Sequence, residues 1–559
     1  MDKGETFMNK TIRVVALCLA ASVMMSVAAC RPQGQETTAT SEATESTTTT
    51  TTAATTETTK PAETSATTKD NGTPAKEIPI EFKPVDQRYH YDMELKLDTS
   101  RKTIGGHVVF DFFNDSDADW EKLCLRDYSS LYKDPESVGY DAGIKTNGAI
   151  TEITNIVDGR DKGKIKMSRD EDVSVVWLPL AKPLKPGEKM TLTYDFVATV
   201  PTVADRYGYQ DGVYNVTNFY PILAEYTDKG WSHEAFYSSG ECFFSEISDY
   251  DVRLTVPEDM VILSTGLEKD ETKKSDNKTI TIHADCVRDF VFSGSSEFEL
   301  VEGDYEDTHI RVAYTEEEDP ETNKFMADAS LTASVESLKA FNSAFGKYPY
   351  KDLEVILAPI AAGGMEYPNL IIISKDFGFD LDEEGMEVMV ETVVSHEIGH
   401  QWFMGIVGSN SGMQPWLDES FASYTEYVFN CAVHPEMDEE MRGGVIFAKE
   451  YESDQEFRKV MTETGYTPVN RPYYDFVNED IYVTGVYALG KQMLIDMEHA
   501  VGQEEFYEII RDYVQQNAFR NADQMDFFKI LYDHAGSDNE ELNRAAYKYL
   551  DDKGQAPAA

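Results

Sequence analysis

The sequence predicts an α+β chain of more than one domain, in which a mostly antiparallel β-rich region precedes a mainly helical one. Three observations carry this expectation. Apolar residues alternate with polar ones at Tyr91, Met93, Leu95, Leu97, at Val108, Phe110, Phe112, at Met190, Leu192, Tyr194, Phe196 and at Val252, Leu254, Val256. Such period-two alternation marks half-buried strands. Turn signals such as Lys185-Pro186-Gly187-Glu188 separate the runs. After His309 to Tyr314, a last strand by its pattern, the period becomes helical at Leu331, Val335, Leu338, Phe341 and Phe345, and helices dominate from Glu387. With 559 residues, 41% of them hydrophobic, the chain has material for two to four domains with substantial cores.

In chain order, residues 1–30 read as a targeting segment. Lys10 and Arg13 form a short basic region, and Val14 to Ala29 is almost wholly apolar or small. Sixteen residues is short for a membrane-spanning helix. The segment closes on Val27-Ala28-Ala29-Cys30, which resembles a bacterial lipobox, with Cys30 as the lipidated first residue of the mature chain. Residues 31–77 are rich in Thr, Ala, Ser and Glu, including six consecutive threonines from Thr47 to Thr52. That composition cannot bury a core, and it is expected to form a disordered stalk. The β-rich domain is expected over 78–302, the mainly helical domain over 303–553, and a short tail over 554–559.

The formal net charge is −51, from 101 acidic and 50 basic residues. So acidic a surface disfavours nucleic acid and anionic membrane as partners, and it mildly favours cationic substrates such as a peptide amino terminus. Of six cysteines, Cys18 lies in the targeting segment and Cys30 at its end. Cys124, Cys242, Cys286 and Cys431 form no CxxC, so thiolate zinc ligation and a disulfide framework are both poorly supported; whether any of them pair stays open. His434, His499 and His534 are isolated and read as surface or core residues, and Asp380 to Glu384 reads as a solvated loop.

The most specific signal is His396-Glu397-Ile398-Gly399-His400, with eighteen residues separating it from Glu419. Histidines at i and i+4 share one helix face, so both imidazoles can reach one Zn²⁺. A catalytic zinc takes three protein ligands and leaves one position open. Glu419 can supply the third, because Trp416-Leu417-Asp418-Glu419-Ser420-Phe421-Ala422 reads as the start of a second helix. Glu397, beside the first ligand, is placed to act as general base toward a water. Upstream, Gly363-Gly364-Met365-Glu366-Tyr367 precedes an apolar run, Leu370 to Ile373, suited to an edge strand. A carboxylate on a strand beside a zinc helix could bind a substrate ammonium.

Together these residues resemble the M1 family of zinc aminopeptidases, whose metal motif is HExxH-x18-E. The family's GxMEN motif looks matched at Gly363 to Tyr367, with Tyr367 in place of Asn. Its WLNEGFA helix start is similar to Trp416 to Ala422, with Asp418 and Ser420 as departures. Its YxKG tyrosine looks matched by Tyr482-Val483-Thr484-Gly485, with Tyr487 as the alternative register. The resemblance covers roughly Val85 to Leu550 and is diffuse in the β-domain.

What the resemblance implies follows residue by residue. The fold would be a β-saddle domain followed by a thermolysin-like catalytic domain, with one Zn²⁺ per chain. His396, His400 and Glu419 would ligate it, Glu397 would be general base, and Tyr482 would stabilise the oxyanion. Glu366 would hold the substrate's α-amine, with Gly363, Gly364 and Met365 lining the substrate. The β-domain of many members adds a Gln and a Glu to the amine pocket, whereas the nearest segment here is Asn218-Phe219-Tyr220-Pro221. The chain ends about 140 residues past Glu419, so a form without the family's C-terminal helical domain is expected. The expected activity is removal of amino-terminal residues from peptides by an enzyme lipid-anchored at the outer face of a bacterial membrane. The alternatives are a thermolysin-like endopeptidase and a catalytically silent binding module.

Overall fold

The computed structural model describes residues 78–550 apart from 140–145, 147–149, 238–239, 241–242, 317–318, 378–380, 438–441, 444–468 and 477. The targeting segment with Cys30 and the threonine-rich stretch lie outside the described residues.

The alternating runs of the first half build an eight-stranded sheet. Its spatial order is Leu267–Lys274, Asn277–Val287, Ser248–Pro257, Tyr89–Asp98, Thr103–Phe113, Lys189–Thr199, Glu152–Asp158 and Gly163–Lys164. Only Tyr89–Asp98 and Ser248–Pro257 run parallel among these neighbours. Every apolar residue of the four alternating runs is buried, as a pleated sheet with one face on the core requires. The opposite face carries ion pairs such as Arg253 with Asp92 and Glu94. The turn at Lys185 closes with Glu188 N–H donating to the Lys185 carbonyl, and Gly187 takes φ 73°. Two four-stranded sheets pack beside the large one. Cys124, Cys286 and Cys431 are free thiols.

The second sheet has five strands, in the order Phe298–Tyr305, Thr308–Thr315, Asp352–Ala358, Leu370–Ser374 and Gly364–Tyr367. Two expectations change here. The boundary at 302 falls inside Phe298–Tyr305, which pairs with Thr308–Thr315 over its whole length and so belongs to this second sheet. The edge strand is Gly364–Tyr367, while Leu370–Ser374 lies inside it, parallel to Asp352–Ala358. A central strand of a partly parallel sheet is buried on both faces and reads as a continuous apolar run; composition alone does not separate it from an edge.

Helices cover this sheet. Pro320–Phe345 starts at Asp319, whose carboxylate caps Thr322 N–H. Its most buried stripe uses small residues, Ala327, Ser330, Ser334 and Ser337, while Leu331 and Val335 flank it half-buried. Small residues let the next helix approach closely. That helix, Glu383–Gly399, starts at Asp382, which caps Gly385 N–H. It crosses Trp416–Val433 so closely that a Cβ on Gly399 would stand 2.2 Å from Thr425 Oγ1. Gln503–Asn517 and Gln524–Ala535 complete the helical part.

Among the groups that tie the two halves together is one buried guanidinium. Arg288, at the end of the strand Asn277–Val287, donates to Met404 O and Gly405 O at 2.6 and 3.1 Å. It also donates to Ser245 O, Asn521 Oδ1 and Arg520 O at 2.7, 2.5 and 2.8 Å. Met404 has φ 126°, a strained value for a residue with a side chain, and the guanidinium holds it there just past the motif helix. Arg288→Met should therefore lower the unfolding free energy by about 3–5 kcal/mol, because it strands several buried acceptors. The urea midpoint measures this, and an unchanged midpoint would mean that the clamp contributes little.

Candidate metal centre and active site

The helix Glu383–Gly399 ends at the histidines, and the helix Trp416–Val433 begins beside them. Together they bring His396 Nε2 to 3.2 Å from Glu419 Oε2, His400 Nε2 to 3.2 Å from His396 Nε2, and His400 Nε2 to 3.5 Å from Glu419 Oε2. A tetrahedral ion with zinc-like bonds of ~2.0–2.1 Å sets its donors about 3.3 Å apart, so the triangle fits. Tautomers fit as well. His396 Nδ1 lies 2.9 Å from Glu426 Oε1, and His400 Nδ1 lies 2.7 Å from Asp418 Oδ1. With both Nδ1–H groups taken, both Nε2 lone pairs face the same point, and two lone pairs at 3.2 Å repel unless a cation lies between them.

Charge leads to the same conclusion. Glu366, Glu397, Asp418, Glu419 and Glu426 are all at most 4% exposed. Burial alone would pull His396 down, yet the hydrogen bonds of Glu419 and Glu426 push it up to about 9. Against the same burial, Asp418, Glu366 and Glu419 raise His400. Burial would raise Glu419, but the two histidines hold it well below the usual carboxylate range. The site carries an excess of negative charge that a divalent cation would neutralise.

The strand Gly364–Tyr367 runs past this centre. Gly364 leaves room for the motif carboxylate: a Cβ here would stand 2.1 Å from Glu397 Oε1 and would push that side chain aside. The sequence suggests that these glycines admit substrate; the closest demand on Gly364 comes from the Glu397 carboxylate. Gln401, the residue after the motif, locks the strand to the helix: its amide nitrogen donates to Tyr367 O, and its oxygen accepts from Asn369 N–H. Donor atoms of Glu366, His400 and Asp418 consequently lie within 4.8 Å of one another. Met365 and Glu366 line one cavity with Tyr128, Asn218 and Phe243. Gly363 uses its carbonyl to accept from Ser374 N–H.

The two candidate tyrosines separate. The Tyr487 ring lies parallel to His396, 5.9 Å between centroids, within a π-helical turn, Thr484–Leu489. Tyr482 is one turn earlier, packed on Tyr473 and Phe476, with its hydroxyl under Gly240. The π-turn explains Ser420. Its hydroxyl donates to Val486 O at 2.6 Å, and Gly490 leaves room for it.

Residues 329–548 match the model for the peptidase family M1 domain. The chain is similar to that family over these residues. It is 24% identical over 394 residues to Aminopeptidase M1-B of Oryza sativa subsp. japonica, covering 66% of this chain and 42% of that protein. It is 25% identical over 224 residues to Aminopeptidase N of Streptomyces lividans, covering 39% of this chain and 26% of that protein. The chain thus spans less than half the length of these curated relatives. Among solved structures, the M1 zinc metallopeptidase of Deinococcus radiodurans superposes with TM-score 0.57 at 16% identity, over 84% of this chain and 94% of that one. A two-domain M1 zinc metallopeptidase bound to L-arginine gives 0.57 at 17%, with the same coverage. The β-rich region followed by a mainly helical one is therefore the architecture of M1 peptidases.

Sequence reasoning missed the outer layer of this site. Glu426 lies seven residues after Glu419, on the same helix face, a spacing that could have marked it. It backs His396 and is itself held by Lys491 Nζ at 2.7 Å. Asp418, seen only as a departure from Asn, backs His400 and accepts from Ser411 Oγ at 2.7 Å. Carboxylates behind ligating imidazoles orient the ring and raise its basicity. Glu426→Gln should weaken zinc binding ~10–100-fold in chelator competition; equal affinity would show that His396 needs no carboxylate behind it.

Proposed function

We propose that this chain is a zinc-dependent aminopeptidase that hydrolyses the amino-terminal bond of peptides, with one Zn²⁺ held by His396, His400 and Glu419. The supporting observation is the short gap between Glu366 and His400, whose donor atoms lie within 4.8 Å of each other. One residue of extended chain spans ~3.3–3.6 Å. An ammonium held on Glu366 therefore leaves room for one residue before the scissile bond meets the metal ligands. The relatives' names and the metal motif favour the same reading.

Bound there, zinc would polarise the scissile carbonyl and acidify an attacking water. Glu397 takes the proton from that water and returns it to the leaving amine. Tyr487, against His396, takes the oxyanion-donor role otherwise assigned to Tyr482. Glu366 fixes the amino terminus, and Gly364 keeps the Glu397 carboxylate in the cleft.

Zinc analysis and turnover of a fluorogenic aminoacyl amide test the reading, with an acetylated peptide as counter-substrate. The free-amine substrate should be cut and the acetylated one spared. Efficient internal cleavage of the acetylated peptide would make the protein an endopeptidase, and bound zinc with no turnover would make it a binding module. Glu397→Gln should keep zinc and lose at least ~10²-fold in kcat. Tyr487→Phe should lose ~10²–10³-fold, and Tyr482→Phe far less; the reverse order would restore Tyr482 to the role.

The same reading extends to location. Val27-Ala28-Ala29-Cys30 supports a lipid anchor on Cys30, with 31–77 as a stalk holding the enzyme at the outer face of a bacterial membrane. Cys30→Ser should release the protein from the membrane fraction or leave the signal uncleaved. An unmodified native amino terminus elsewhere, read by mass spectrometry, would reject the anchor.

A further inference from the structure

Ser420 follows the candidate ligand Glu419 on the helix Trp416–Val433 and is fully buried. The M1 helix start has glycine at this position, so the hydroxyl is a departure of this chain. Inside a helix, a serine hydroxyl usually returns to the carbonyl one turn back in its own helix. Ser420 instead donates across to Val486 O at 2.6 Å, 66 residues along the chain. Gly490 makes room for this, since a Cβ there would stand 1.9 Å from Ser420 Oγ. The two residues are a matched pair, the hydroxyl on one helix filling the space left on the other.

The carbonyl it reaches is one that has lost its ordinary donor. Val486 lies in the π-helical turn Thr484–Leu489. In an α-helix its oxygen would accept from the N–H four residues on, at Gly490. Here the Gly490 N–H donates to Gly485 O, five residues back, and to Tyr487 O. The π-register draws that donor away from Val486 O, and Ser420 supplies another. Such turns occur mostly as single bulges at functional sites, and one residue out of step turns a helix by ~100°. The residue after Val486 is Tyr487, whose ring stands at 10° to that of His396 with 5.9 Å between centroids. A hydroxyl next to one candidate metal ligand thus holds the carbonyl just before the tyrosine that faces another.

Resting on the aminopeptidase reading and on Tyr487 as its oxyanion donor, we propose that Ser420 is a positioning residue for Tyr487. Its hydroxyl holds the π-turn in the register that presents Tyr487 beside His396, and it ties that register to the helix carrying Glu419. Ser420 acts through the tyrosine and not on the substrate itself. A hydrogen bond that merely fastened two helices would matter equally whatever side chain stood at 487.

The test is a double-mutant cycle in the zinc-loaded full chain. Its readouts are turnover of a fluorogenic aminoacyl amide and zinc affinity in chelator competition. Ser420→Ala should lower kcat ~10-fold and leave KM within ~2-fold, the signature of an interaction realised in the transition state. Zinc affinity should not change. In a Tyr487→Phe background the same substitution should cost less than ~2-fold, because the hydroxyl that Ser420 positions is already gone. Gly490→Ala, which crowds the Ser420 hydroxyl from the other helix, should reproduce both the kcat loss and its dependence on Tyr487. An equal loss with and without the Tyr487 hydroxyl, an unchanged kcat, or weakened zinc binding would overturn the role of Ser420. If the parent is active and Tyr487→Phe is equally active, the oxyanion assignment falls and the role of Ser420 with it, while the aminopeptidase reading stands. A zinc-loaded parent that cuts no aminoacyl amide would sink both.

Discussion

Two imidazole nitrogens and a carboxylate oxygen meet within 3.5 Å in a site that water scarcely reaches. Such a triangle turns three donor atoms toward one point, which a bound divalent cation would satisfy together. Much of the catalytic half is arranged by that constraint. The helix crossing at Gly399 brings Glu419 to the histidines. Glu426 and Asp418 fix both Nδ1 atoms, and Lys491 balances Glu426. Each outer group removes a rotamer or a tautomer that would point a lone pair elsewhere.

The second constraint is the position of the edge strand. Glu366 is useful only at a fixed distance from the metal ligands, yet edge strands are the least tethered parts of a sheet. Gln401 removes that freedom by bridging Tyr367 O and Asn369 N–H from the residue next to His400. Arg288 extends the same control to the β-domain, since it binds the strained turn after the motif helix and the segment at Asn521 together. The cleft is a seam between two domains, which the Arg288 guanidinium and hydrogen bonds such as Tyr367 to Asn218 and Thr265 to Pro368 hold in register.

Local pattern determined a great deal. Period-two alternation placed four strands whose inward residues are all buried, because pleat geometry depends only on neighbours along the chain. The i, i+4 histidines and Glu419 were legible for the same reason: helical spacing converts sequence distance directly into spatial distance. Asp418, Ser420 and Tyr367 were visible only as departures, and their roles needed partners. Asp418 answers to His400 within reach of the motif, but Ser420 answers to Val486, 66 residues away, and Tyr367 to Asn218, 149 residues away.

The rest belonged to tertiary structure. Whether an apolar run is an edge or a central strand depends on which strands pair on each side, and that exchanged Leu370–Ser374 for Gly364–Tyr367. Which tyrosine faces the histidines depends on one extra residue in a π-helical turn, which shifts phase without altering composition. Sequence alone determined the chemistry of the metal centre, because its ligands lie on short helical segments whose geometry is local. Only the packing of two distant domains decided what surrounds a substrate, because that cavity is made from surfaces whose approach no local spacing encodes.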